Sequence, residues 1–179
     1  RRTLLYSLAA APLARGAGAD GDEFRVYTEA PRLFLTARRL RLLRRERERD
    51  SMRWRQFDSL ISGGAQMPEE GFAWALHFQT TQNPASGKRA IAWALQESSQ
   101  DLRQLALVYD WCQEALEGPQ RAALARRLSR AFEGAFPAQV SAVRSRVLAA
   151  IALACDAPDK AERELRSAIQ VWWRKQTAP

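Results

Sequence analysis

The chain has 179 residues, 46% of them hydrophobic and 27% charged, enough to bury one core but not two large ones. Its 28 basic and 20 acidic side chains give a formal charge of +8, the sign that suits an anionic partner such as an acidic polysaccharide, a nucleic acid or a phospholipid surface. A single histidine, two cysteines and the lack of any run near about 20 apolar residues exclude a zinc framework and a membrane-spanning helix, and nothing calls for a cofactor.

Residues 1–19 have the order of an export signal: Arg1 and Arg2, an apolar stretch from Leu4 to Leu13, then small Ala17, Gly18 and Ala19 before Asp20. Cleavage after Ala19 is expected, giving a periplasmic or secreted protein. The opening Arg1, Arg2, Thr3, Leu4, Leu5 resembles a twin-arginine signal, and Arg15 beside the cleavage point suits that route, with the general secretory route left open. Residues 20–35 read as an extended lead-in that Leu33, Phe34 and Leu35 anchor.

Residues 36–179 read as about seven helices. Thr36 is a good N-cap for a long helix from Ala37 to Ile61, whose stripe Leu40, Leu43, Trp54, Phe57 and Ile61 is interrupted at Arg47 and Asp50, and Gly63 and Gly64 end it. Pro68, Glu69 and Glu70 make a first turn for a helix through Gln79, which Asn83 and Pro84 break. A third helix covers about Ala85–Gln96. The fourth, about Gln100–Leu116 after the cap candidates Ser98 and Ser99, places Leu102, Leu105, Ala106, Tyr109, Cys112 and Leu116 on one stripe. Gly118 is expected to close it and Pro119 to open the fifth, through Phe132, so that the two form an antiparallel hairpin. Val140, Val143, Val147, Ile151 and Ala154 align on a sixth helix, and after Pro158 a seventh runs through Trp172. No segment alternates with period two. The fold expected is all-α, a set of antiparallel hairpins closer to an incomplete (α/α) toroid than to a solenoid, because no 34-residue repeat is visible.

Two segments carry a likeness. Pro31, Arg32, Leu33, Phe34, Leu35, Thr36 before a basic helix, together with LALVYDWCQEALEGPQRAALARRL from Leu105 to Leu128, resemble the helical amino-terminal domain of heparinase II/III-like and alginate-lyase-like polysaccharide lyases, over about residues 30–175. The resemblance implies an incomplete toroid, followed in a longer parent chain by a carboxy-terminal β-sandwich, the two together cleaving uronate-containing polysaccharide by β-elimination. The family's chemistry needs an Asn or His, a Tyr, and a further His or Arg. At the segment where the first of these falls, this chain reads Ser141 to Arg146 with neither Asn nor His, so no catalytic residue is assigned and the chain alone is expected to be inactive.

Arg144 and Arg146 are therefore candidates to grip a uronate carboxylate or sulfate through their planar fork of donors. Tyr109 and Trp111, flanking Asp110, are candidates for an aromatic face against sugar C–H groups, but the stronger reading is structural, with Tyr109 on the buried stripe and Asp110 paired to a neighbouring helix. His77, Trp74 and Trp93 read as packing residues. Nine arginines crowd Arg38–Arg55, but Glu46, Glu48 and Asp50 are interleaved with them, so the run reads as a solvated helix face and not as a nucleic-acid site. Arg38 and Arg39 sit at the positive end of their helix, where an acidic partner such as Glu29 is expected. Cys112 and Cys155 both fall on apolar faces and read as buried thiols, with a disulfide left open. The expected partner is an acidic polysaccharide; the alternative is a non-catalytic helical scaffold that binds a protein.

Overall fold

The computed structural model describes residues 29–174, so the export signal and most of the lead-in lie outside the described residues. Within them the protein is all-α: α1 (Ala37–Glu48), α2 (Met52–Ser62), α3 (Glu70–Thr81), α4 (Pro84–Leu95), α5 (Leu102–Trp111), α6 (Gly118–Arg130), α7 (Val140–Ala152) and α8 (Pro158–Ser167), with no strand among the described residues. A 3-10 turn, Gln113–Ala115, follows α5, and α8 runs on into a π-helical turn, Ala168–Trp173. Among the described residues no helix is long and apolar enough to cross a membrane.

Three boundaries differ from the sequence reading. The long first helix is two, because Asp50 takes a left-handed conformation (φ 49°) and Ser51 re-caps the chain by accepting from the Trp54 N–H. The fourth helix is capped by Asp101, whose carboxylate accepts from the Arg103 and Gln104 N–H groups, and not by Ser98 or Ser99. Gly118 opens α6 instead of closing the helix before it. Glu117 caps α6 in a reciprocal arrangement with Gln120, and Pro119 stands in the first turn as expected.

The helices pack in two rows. Neighbours in sequence touch, and beyond them α1 lies on α3, α3 on α5 and α5 on α7, while α4 lies on α6. The odd-numbered helices thus form one layer, with α4 and α6 on its outside. Position in this arrangement explains burial. Every residue from Gln104 to Trp111 is buried, as befits a helix with neighbours on all sides, whereas α1 buries none completely and α2 only Ile61. The core gathers Leu33, Leu35, Phe78, Ile91, Leu105, Leu107, Leu124, Leu128 and Leu148 around α5. Close approach of α3 and α4 depends on Gly71, where a Cβ would sit 2.3 Å from the Trp93 ring.

Candidate functional site

The segment Pro31–Leu33 and the end of α5 meet in space. Asp110 has no accessible surface and accepts from the Arg32 N–H (2.7 Å), the Leu33 N–H (2.8 Å) and Arg32 Nε (2.9 Å). Trp111 Nε1 donates to the Leu33 carbonyl at 2.8 Å. Arg32 continues to the Ala152 carbonyl (3.0 Å) and to Cys155 Sγ (2.9 Å). Burial alone would lower its pKa, but the bonds to Cys155 and Asp110 outweigh that and raise it. Pro31–Leu33 is thereby clamped onto the end of α5 and the end of α7, a packing device assembled from residues 78 positions apart.

Three of the four proposed sugar contacts are inside the protein. Tyr109 is fully buried, its hydroxyl donating to Asp156, and burial first, then Asp156, raises its pKa. Trp111 is 2% exposed. Arg146 forms a two-pronged pair with Glu164 (Nε to Oε2 2.6 Å, Nη2 to Oε1 3.1 Å), donates to the Phe132 carbonyl at 3.2 Å, and lies over the Phe136 ring at 5.0 Å. Its donors hold α8 and the segment before α7, which corrects the expectation of a uronate grip. Only Arg144 is exposed, and the four do not converge.

The other candidates are also placed. His77 stacks on Trp54, with Nε2 3.0 Å from Asp58 and Nδ1 2.7 Å from Ser86; Ser86 is buried, so this chain of three groups ties α2, α3 and α4 together and presents no nucleophile. Arg39 finds a carbonyl and not an acid, donating to Phe34 O at 2.9 Å. Arg44 and Arg47 donate to the Gln79 and Thr80 carbonyls and so cap the carboxy-terminal end of α3. Cys112 is buried, with its thiol pushed up to about 12 by desolvation; Cys155 is exposed, against expectation, and both are free.

A basic groove was not foreseen from the sequence. It is about 760 Å³ in volume and runs between the last turns of α6 and the α4–α5 connection. Leu102 and Leu105 of α5 and Ala123 give it an apolar floor, and Arg126, Arg127 and Arg130 face one carboxylate, Glu97. Arg127 is spent on the carbonyls of Ala94, Gln96 (2.8 Å) and Ser99 (2.5 Å), capping α4. Arg126 and Arg130 are exposed, one helical turn apart, and among the described residues neither has an acidic partner. The legible signal was that i, i+4 spacing. No group of His, Cys, Asp and Glu able to hold a metal occurs among the described residues.

No family model, no curated protein and no solved structure matches the chain. Fold and groove define the class: an all-helical, two-layered protein with a basic, partly apolar cleft.

Proposed function

We propose that this chain is the amino-terminal helical portion of an exported polysaccharide-lyase-like protein, an incomplete (α/α) toroid that contributes a cleft for acidic, uronate-containing polysaccharide. The observation that carries the reading is the groove at α6, where Arg126 and Arg130 stand unpaired above a floor of Leu102, Leu105 and Ala123. Guanidinium forks suit carboxylate or sulfate, and an apolar floor suits the C–H face of a sugar ring. The row of α1, α3, α5 and α7 with α4 and α6 outside it supports the toroid, since a toroid stacks its hairpins in such a double layer. Binding, not cleavage, is assigned to this chain.

The test is titration of alginate, polygalacturonate and heparin onto the chain. Arg126→Ala with Arg130→Ala should weaken binding about tenfold, as should a rise in salt from about 0.05 to about 0.5 M, while Arg144→Ala leaves it unchanged. Binding that ignores both the double variant and salt removes the groove assignment. A second reading, a scaffold that binds a protein or supports a neighbouring domain, is favoured by one observation: Tyr109, Asp110, Trp111 and Arg146 are all consumed by internal contacts. Failure of all three polyuronates to bind would select it.

A further inference from the structure

A second cavity, about 380 Å³, opens where the carboxy-terminal ends of α3 and α5 meet α1 and the Ala30–Pro31 turn. It shares no lining residue with the basic groove. Its key group is Gln79, only 6% exposed, whose amide nitrogen donates to the Trp111 carbonyl. A carbonyl only accepts, so that bond fixes which way the amide faces and turns Oε1 away from Trp111. Among the described residues nothing donates to this oxygen, yet it is not sealed from solvent, and Gln79 lines the cavity. The acceptor is offered to whatever the cavity holds.

The remaining groups balance it. Arg44 spends Nη2 on the Gln79 carbonyl at 3.3 Å and keeps Nε and Nη1 as donors. Gln82 likewise spends its amide nitrogen on that carbonyl, at 3.3 Å, and keeps its oxygen. Glu114 is exposed on the lining and has no ion-pair partner among the described residues, whereas Asp110, behind it, is consumed by Arg32 and Leu33. The cavity therefore presents three open acceptors, the donors and positive charge of Arg44 and the negative charge of Glu114, with Gln113 tied to Cys155 and Arg121 and with Trp111, Leu40 and Pro31 as apolar surface.

That inventory selects a ligand class. An anion would face Glu114 and the negative ends of α3 and α5. An apolar ligand would strip water from Gln79 Oε1 and Glu114 without replacing its hydrogen bonds. A ligand bearing several hydroxyls, each able to donate and accept, satisfies all of them, and 380 Å³ lies within the range of small-molecule sites. We infer that this cavity binds a neutral pyranose, with Gln79, Gln82 and Glu114 accepting from its hydroxyls and Arg44 donating to one. The site has its own chemistry and does not depend on the basic groove.

The test uses the whole chain and the methyl glycosides of glucose, galactose and mannose, followed by saturation-transfer NMR and calorimetry. At least one glycoside should bind saturably, without response to salt. Glu114→Ala combined with Gln82→Gly should weaken it about tenfold. Both residues are exposed, and Gln82 holds φ 60°, which glycine adopts freely, so the double variant keeps the fold. Arg126→Ala with Arg130→Ala should leave glycoside binding unchanged, which separates a failure here from a failure of the polyuronate reading. No binding by any of the three glycosides overturns the inference, as does binding that the Glu114 and Gln82 changes leave intact or that the Arg126 and Arg130 changes abolish.

Discussion

Asp110 shows how much one side chain can carry when its position denies it water. Both oxygens are committed to N–H groups of Arg32 and Leu33, and its neighbour Trp111 adds a bond to the same segment. Asp110→Asn keeps the shape but removes the buried carboxylate that accepts from Arg32 Nε and from the Arg32 and Leu33 N–H groups; a loss of about 3 kcal/mol is expected in urea denaturation. Cys112 and Tyr109 set the alkaline limit. Both are held protonated in the fold, Cys112 up to about 12 from 9.0 and Tyr109 above its ordinary 10.0. A raised pKa stabilises fully below the unfolded value and is lost as pH climbs toward the folded one, because the unfolded chain then releases protons that the native state keeps. Stability should therefore decline above about pH 9, approaching about 1.4 kcal/mol per pH unit for each group. Urea midpoints at rising pH should show this slope, and Cys112→Ala should lessen it. The arginines divide by the same local geometry. Arg144 and Arg146 are two apart on α7 and so point to different sides, one to solvent and one to Glu164, whereas Arg126 and Arg130, four apart on α6, share the groove.

At the scale of the element, tertiary packing overrides local preference at identifiable places. Gly71 in α3 is a poor helix former, and propensity alone expects a gain of about 1 kcal/mol from Gly71→Ala. The Trp93 ring occupies the space the methyl would need, so a loss of about 1–3 kcal/mol is expected instead, read from the thermal midpoint. The break between α1 and α2 has a similar cause. The apolar stripe is continuous enough to read as one helix, but Glu46 and Arg47 carbonyls accept from Ser51 and Asp50, ending α1 with Asp50 left-handed. The interruption at Arg47 and Asp50 was visible; not visible was that Arg47 donates to the Thr80 carbonyl of α3. The helix start was legible at Thr36, missed at Ser51, whose cap lies inside a continuous stripe, and misplaced where several polar residues competed, as at Ser98, Ser99 and Asp101.

For the whole molecule, the two-row arrangement sets a gradient of protection. α5 is enclosed by α3, α4, α6 and α7, while α1 and α2 lie against one side of α3. Amide exchange should be slowest in α5 and along α7 and fastest in α1 and α2, where few residues are buried. Equal protection of α2 and α5 by exchange mass spectrometry would contradict the layering. The sequence by itself determined the helical class and the number of hairpins to within one helix, because periodicity, caps and breaks act within a few residues along the chain. The tertiary structure alone decided which polar groups remain free. Tyr109, Trp111 and Arg146 look available in a linear reading and are consumed by Asp156, Leu33 and Glu164, while Arg126, Arg130 and Gln79 Oε1 are left open. A side chain's availability depends on partners tens of residues away, and no local pattern encodes who those partners are.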